Sequence, residues 1–399
     1  MPYDLLVIGA GPAGSAAARR AASHGLSVAL VDRAEFPRDK TCGDGLIADS
    51  LFAIDALGLT SRVRAAARAV SGVRLYAPNG TTVPLRGECV CVPRRALDDI
   101  LRQGAMEAGA TFLAPLKAIA PVTENGHVRG ALFHNPHTGE ETTIGATLTL
   151  LATGAAAEPL TKFGMCLRSE ASATAARVYV QVPRAAAHLV RQLVISFDES
   201  MLPGYGWIFP IGDATFNVGV GLFNDAWRPP LTSNVRVLFD RFVKSLPPDV
   251  NVMPHATSVS TLKGAPLRTR MEGARLARPG LLVIGEAAGL TYSLTGEGIG
   301  KAMESGMLAA DIASSQLRAS SLERIATEYE HELTRRYRRI FRGYKRAQDW
   351  MNSRRLANFL AKRANAGTFV RGQLEGMFAD DVYPQRLLSP LGIARALIS

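Results

Sequence analysis

Two glycine-rich stretches hold the residues best suited to chemistry. Near the N-terminus runs Gly9-Ala10-Gly11-Pro12-Ala13-Gly14, and about 270 residues later comes Gly285-Glu286-Ala287-Ala288-Gly289. The first follows Y-D-L-L-V-I at residues 3–8, a short run suited to a buried parallel strand. Gly9 permits a tight turn, Gly11 lets the backbone approach a pyrophosphate, and Gly14 allows a helix to pack closely on the strand. Alanine-rich residues 15–22 predict that helix, whose N-terminus turns free N–H groups and a positive dipole end toward phosphates. A second strand over 26–31 ends at Asp32, 18 residues past Gly14, where a carboxylate accepts hydrogen bonds from ribose hydroxyls. Arg33 has two readings, contact with a 2′-phosphate or a solvated arginine beside an adenine, and the second is preferred.

The later stretch follows an apolar strand expected over 281–284 and is expected to open another helix. Glu286 there can reach a ribityl or ribose hydroxyl. Beyond it, Thr295-Gly296-Glu297-Gly298-Ile299-Gly300 leads into a helix over 298–313. Its glycines let the backbone approach an isoalloxazine, and the helix N-terminus stabilises negative charge on a reduced flavin. Gly154, closing a strand over 147–152, is assigned to the same site. A simple NAD dehydrogenase does not need the second stretch. The two together point to FAD.

The 399 residues are 47% hydrophobic and 20% charged, a globular composition compatible with two closely joined domains. Net charge is +11 with pI ≈ 9.8, which suits anionic partners: phosphates, anionic lipid or nucleic acid. The densest basic run, 335–346, spaces Tyr337, Phe341 and Tyr344 along one helical face. The preferred reading is a helix packed by those aromatics with a solvated basic face; a membrane-surface contact is the alternative. No nucleic-acid partner is expected, because no binding motif accompanies the charge. No apolar run is long enough to span a bilayer, and the chain enters its first strand without room for a signal peptide. The expected location is the cytoplasm, or the cytoplasmic side of a membrane as a peripheral protein. Cys42, Cys89, Cys91 and Cys166 form neither a metal spacing nor a disulfide framework, and Cys89 and Cys91 share one strand face as core residues. No metal site is expected.

The fold class expected is α/β. A Rossmann-type FAD-binding domain (residues 1–70, 94–160 and 275–320) interleaves with a mostly antiparallel β-sheet substrate domain (71–93 and 161–274). A helical C-terminal region (321–399) follows. Pro78-Asn79-Gly80 signals a hairpin over 73–84, and Pro93 opens a helix reaching Ala108.

The chain resembles the geranylgeranyl reductase family, within the flavoproteins related to aromatic hydroxylases. Besides the two glycine stretches, the resemblance is carried by F-P-R-D-K-T-C-G-D-G-L at 36–46 and by P-G-Y-G-W-I-F-P at 203–210, similar to the family's Tyr-x-Trp-x-Phe-Pro motif. It covers most of the first 320 residues. Glu286 stands where the family usually has Asp, and Asp32 where it usually has Glu. The resemblance implies that Lys40, Cys42 and Gly43 lie against the flavin and that Arg94, in Val92-x-Arg94-x-x-Leu97-Asp98, contacts it. Cys42 either tunes the flavin or is a small buried hydrophobe. Tyr205, Trp207 and Phe209 share a strand face and, with Gly45 and Pro210, form a slot for a long apolar substrate. The implied reaction passes a hydride from reduced flavin to a C=C bond of an isoprenoid or similar apolar substrate, with Cys42 and Tyr205 as candidate catalytic groups and proton donors. NADPH or a ferredoxin-type donor supplies the electrons. The alternatives are a monooxygenase (hydroxylase or epoxidase) or a halogenase on the same scaffold, acting on an aromatic or polyketide-like molecule, and a non-catalytic flavin sensor. The halogenase Trp-x-Trp-x-Ile-Pro motif is absent.

Overall fold

The computed structural model describes residues 2–167, 170–224 and 234–398. Residues 168–169 and 225–233 of the expected substrate segment lie outside the described residues, as do the first and last residues of the chain.

Two sheets organise the chain. In the first, Tyr3–Ile8 is central, with Val28–Val31 and then Thr111–Leu113 on one side, and Glu141–Leu151 and then Leu281–Val283 on the other, all parallel. Its strands are mostly apolar where they pair, because both faces of such a sheet are buried; Val128, Ala131 and Phe133 of the strand His127–His134 join the same core. The register aligns Ile8 with Val31 and Leu151, so these strands end at one level. The loops that follow them carry Gly9 to Pro12, Asp32, Gly154 and Glu286. They meet at the carboxyl edge of the sheet, where α/β folds bind ligands. Glu141–Leu151 is longer than expected: its first half pairs antiparallel with His127–His134, which in turn pairs antiparallel with Lys117–Glu124.

The second sheet runs Ser258–Val259, Ala173–Gln181, Thr215–Phe223, Gly204–Pro210, Leu193–Ser196, Arg68–Tyr76, Thr82–Cys91 and Gly45–Leu46. It is mixed rather than purely antiparallel: Leu193–Ser196 pairs in parallel with Arg68–Tyr76. The expected hairpin is present, with Ala77 N–H bonded to the Thr81 carbonyl at 2.9 Å. Along Thr215–Phe223 the strict period of two places Phe216, Val218, Val220 and Leu222 in a core against the helix Val235–Ser245. Asn217, Gly219 and Gly221 face the other way, beneath the aromatic side chains of Gly204–Pro210.

The helices Pro12–Ser23 and Ile299–Gln316 pack against each other over the first sheet. A Cβ at Gly306 would lie 2.2 Å from the Ala13 carbonyl, so the contact is backbone on backbone. Glu286 does not open this helix. A single 3-10 turn, Gly285–Ala288, ends at Gly289 (φ +80°), and the long helix starts only at Ile299. The C-terminal part is helical, led by the 30-residue Leu322–Met351. Its Tyr337, Phe341 and Tyr344 are buried, with Tyr344 stacked on Tyr292 at 3.8 Å between ring centres. Arg338, Arg339 and Arg346 lie on its exposed side. Among the described residues no helix is long and apolar enough to cross a membrane.

Candidate functional site

A cavity of about 450 Å³ runs from the carboxyl edge of the first sheet to the aromatic face of the second. Its walls include Gly9, Gly11, Pro12, Ala13, Asp32, Arg33 and Lys40 at one end. Cys42, Gly43, Gly45 and Arg94 lie along it with Gly154, Glu286, Gly296, Gly298 and Ile299. Tyr205, Trp207 and Phe209 complete it. Three predicted site residues stand off the lining. Gly14 and Gly285 serve packing: a Cβ on Gly14 would lie 1.8 Å from the Gly9 carbonyl, and one on Gly285 2.7 Å from the Ala13 Cβ. Pro210 follows Phe209 on the strand, so alternation turns it to the opposite face.

The end of the cavity at Gly9 to Asp32 is built by the backbone. Gly9 has φ +110°, and a Cβ there would meet the Ala152 carbonyl at 2.4 Å. Gly11 differs: its φ is −76°, and the nearest protein atom to an added Cβ is the Arg38 guanidinium at 3.6 Å. The space before Gly11 is therefore open to the cavity. No side chain caps the helix that starts at Pro12, which leaves its N–H groups directed outward. Asp32 accepts from the Ala10 N–H at 2.8 Å and the Ala34 N–H at 2.9 Å, so it orders the glycine turn besides facing the cavity. Arg38, not singled out from sequence, adds a guanidinium here; it lies 3.1 Å from Asp98 and stacks over Phe36 at 4.8 Å.

The middle of the cavity rests on a buried polar network. Asp44 is fully buried with φ +65°, a conformation that Asp tolerates better than most residues. Its carboxylate accepts from the Tyr179 hydroxyl at 2.8 Å, the Asn217 amide at 2.8 Å and the Arg94 N–H at 3.1 Å. Asn217 also donates to the Cys42 carbonyl at 2.7 Å and accepts from the Trp207 indole at 2.9 Å. One carboxylate thus fixes the Cys42 turn, the Trp207 ring and the start of the Arg94 helix. Burial pushes the Asp44 carboxyl above its ordinary range, against the pull of its Tyr179 and Asn217 bonds. Neighbouring Arg177, also buried, pairs with Asp39 at 2.6 Å and lies over the Tyr179 ring at 3.9 Å. Sequence reading missed Tyr179, Arg177 and Asn217. The detectable signal was the polar Asn217 inside an otherwise apolar strand.

Arg94 is clamped by both carboxylate oxygens of Asp98, at 2.7 and 2.9 Å. Burial opposes its charge, but Asp98 outweighs it and the guanidinium stays protonated. The Cys42 thiol is pushed up by burial, with Arg94 pulling the other way. Gly43 and Gly45 do permit close approach to flat rings, but the ring the protein itself brings is Phe209, 3.1 and 3.2 Å from their added Cβ positions. Trp207 lies against Gly219, where a Cβ would come within 2.2 Å of the indole. Tyr205 donates its hydroxyl to the Thr295 carbonyl, and burial raises its pKa. Tyr205, Trp207 and Phe209 form a continuous aromatic surface with neighbouring ring centres 6.0 and 6.3 Å apart. The C-terminal region adds Phe378 to the lining, which no sequence motif indicated.

These residues fit FAD. The open space before Gly11, the uncapped helix N-terminus and Asp32 suit its adenosine diphosphate half, and Glu286 beside Gly154 suits a polyhydroxyl chain. Fold and site define a flavoprotein oxidoreductase. A model of the FAD binding domain family matches residues 2–343. Over 329 residues the chain is 33% identical to a menaquinone reductase of Mycolicibacterium smegmatis, covering 78% of this chain and 76% of the relative. It is 30% identical to a digeranylgeranylglycerophospholipid reductase of Methanoculleus marisnigri, over 81% of this chain and 79% of that one. A solved geranylgeranyl bacteriochlorophyll reductase-like protein from Thermoplasma acidophilum shares the fold, with TM-score 0.78 at 24% identity over 100% of this chain and 96% of the other. The chain belongs to the FAD binding domain family and is an FAD-dependent oxidoreductase of the geranylgeranyl reductase type.

Proposed function

We propose that this chain reduces C=C bonds of an isoprenoid, geranylgeranyl-type or similar apolar substrate. The observation that carries the reading is the aromatic surface of Tyr205, Trp207 and Phe209, which lines the same cavity as the FAD-binding residues. Phe223, Leu267 and Ile195 extend that lining with apolar atoms, suited to a long hydrocarbon chain and to exclusion of water. Bound FAD, once reduced, supplies the hydride. The protein aligns the double bond and keeps the pocket dry, because an isolated alkene is a poor hydride acceptor. Relatives named as reductases of menaquinone and of a digeranylgeranyl lipid support a reductive use of the site. Under this reading Cys42 and Tyr205 border the reacting carbons, and NADPH or a ferredoxin-type donor reloads the cofactor.

The test is anaerobic. The purified protein is reduced with dithionite and mixed with geranylgeranyl diphosphate or a geranylgeranylated lipid, and flavin reoxidation is followed alongside product mass. Reoxidation with a gain of two hydrogens supports the reading. Reoxidation only on admitting oxygen, with an oxygen atom gained by the substrate, rejects it in favour of a monooxygenase. Trp207→Ala is expected to retain FAD and to lower kcat/KM for a long-chain substrate about tenfold or more, through loss of ~1.5 kcal/mol or more of apolar contact. Unchanged kinetics would assign the aromatic surface to folding alone.

A further inference from the structure

Behind the cavity lies a series of ionisable side chains to which the reaction as described gives no task. Glu297 lines the cavity on the turn before the helix Ile299–Gln316. Its Oε2 accepts from the Thr295 hydroxyl at 3.2 Å, and no cation sits at ion-pair distance among the described residues. Lys301, one turn further on, directs its ammonium elsewhere, to Glu304 at 2.8 Å and Asp380 at 3.0 Å. Asp49 lies 3.9 Å from the same ammonium, and its Oδ2 accepts no hydrogen bond among the described residues. Side-chain exposure rises through the series, from 1% at Asp49 and 3% at Lys301 to 14% at Asp380 and 28% at Glu304. Groups able to exchange protons thus extend toward the surface from buried Asp49, whose carboxyl carbon lies 2.4 Å from a Cβ added at Gly300, three residues past Glu297.

We infer that Glu297 is the proton donor to the substrate double bond, replenished through Asp49 and the Lys301–Asp380–Glu304 cluster. The inference rests on the reading of the chain as a C=C reductase. The step balances. The Glu297 O–H bond breaks and its proton forms a new C–H bond with the π pair. The adjacent carbon takes a hydride from the reduced flavin. The carboxylate left behind recovers a proton from solvent by way of the buried cluster.

The electrostatics agree with the geometry. Burial, reinforced by nearby Asp49, pushes the Glu297 carboxyl up to about 8, so the side chain carries its proton at neutral pH and loses it above that value. Burial pushes Asp49 up to about 6, where it exchanges protons readily. The other titratable groups facing Glu297 are Tyr205, Cys89, Tyr344, Asp380 and Lys301. Burial raises the two tyrosines and Cys89, and the Tyr205 proton is engaged by the Thr295 carbonyl.

The test is the anaerobic single-turnover rate of the FAD-loaded protein across pH, combined with infrared difference spectroscopy of the same protein without substrate. The wild type is expected to slow above pH 8 and to show a protonated-carboxyl C=O band that titrates there. Glu297→Gln, which keeps the side-chain shape, is expected to retain stoichiometric FAD, lose that band and react at least about a hundredfold more slowly. Glu297→Asp is expected to recover part of the rate. A Glu297→Gln rate within about twofold of wild type, or a band that survives the substitution, overturns the assignment. If the wild type itself hydrogenates no prenyl substrate, the proposed function fails and the donor role with it. A wild type that reacts alongside an equally active Glu297→Gln removes the donor role and leaves the function standing.

Discussion

A Gly11→Val protein will purify folded and without FAD. Gly11 has φ −76°, which valine adopts without strain, and only the Arg38 guanidinium approaches an added Cβ, at 3.6 Å. The new side chain therefore meets no protein backbone and projects into the space that suits the pyrophosphate. The expected loss of FAD affinity is at least about a hundredfold, or ~3 kcal/mol. The readouts are the flavin absorbance of the purified protein and a melting temperature that no longer rises with added FAD. Gly9 and Gly14 are the contrast. Side chains there would run into backbone atoms at 2.4 and 1.8 Å, so those substitutions damage the fold itself. Stoichiometric FAD in folded Gly11→Val would remove the phosphate from this turn.

The second large effect is expected from Asp44→Ala. Removing this carboxylate leaves the Tyr179 hydroxyl, an Asn217 amide hydrogen and the Arg94 N–H without their acceptor in a water-poor interior. Burying such donors unpaired costs on the order of 3–5 kcal/mol in all. Denaturant unfolding of the FAD-free protein should register that loss, and the Trp207 fluorescence should change because Asn217 no longer holds its indole in place. Asp44→Asn should recover only part of the stability, since an amide accepts through one oxygen where three donors converge. A loss below about 1 kcal/mol would mean that the network relaxes around the gap and does not hold the site together.

That Gly9, Gly11 and Asp32 meet at one end of the cavity was legible because its cause is local. The order of strand, glycines, helix, strand and acid is written in consecutive residues: Gly9 takes the positive φ of the turn and Gly14 packs on the Gly9 carbonyl, while Gly11 leaves the cavity open. The aromatic stripe was legible for the same reason: Tyr205, Trp207 and Phe209 need only a period of two. That period also turns Pro210 away from the cavity. What sequence could not show depends on distant pairings. Asn217 reaches Asp44 across 173 positions, and Lys301 meets Asp380 across 79. Nothing local marks such partners. The glycines at 43 and 45 were likewise open to two explanations, and the sheet decided that the flat ring nearest them belongs to Phe209. The parallel pairing of Leu193–Ser196 with Arg68–Tyr76 is equally non-local, since strands of either direction share the same alternation.

The family model ends at residue 343, yet the cavity wall does not: Phe378 reaches it from beyond that point, and Asp380, two residues on, is anchored to the helix Ile299–Gln316 through Lys301. The cavity wall thus draws on both sides of that boundary, which are joined by the Lys301–Asp380 ion pair and by a shared apolar core of Ala361, Ala364 and Val370 with Val70 and Val83. Such an arrangement sets a rule for grafting. A chimera that exchanges the tail can redraw the slot, provided the donor tail brings a carboxylate to meet Lys301; without it the ammonium keeps Glu304 at 2.8 Å but loses the contact that ties the tail to its helix, and the new wall is no longer held in register.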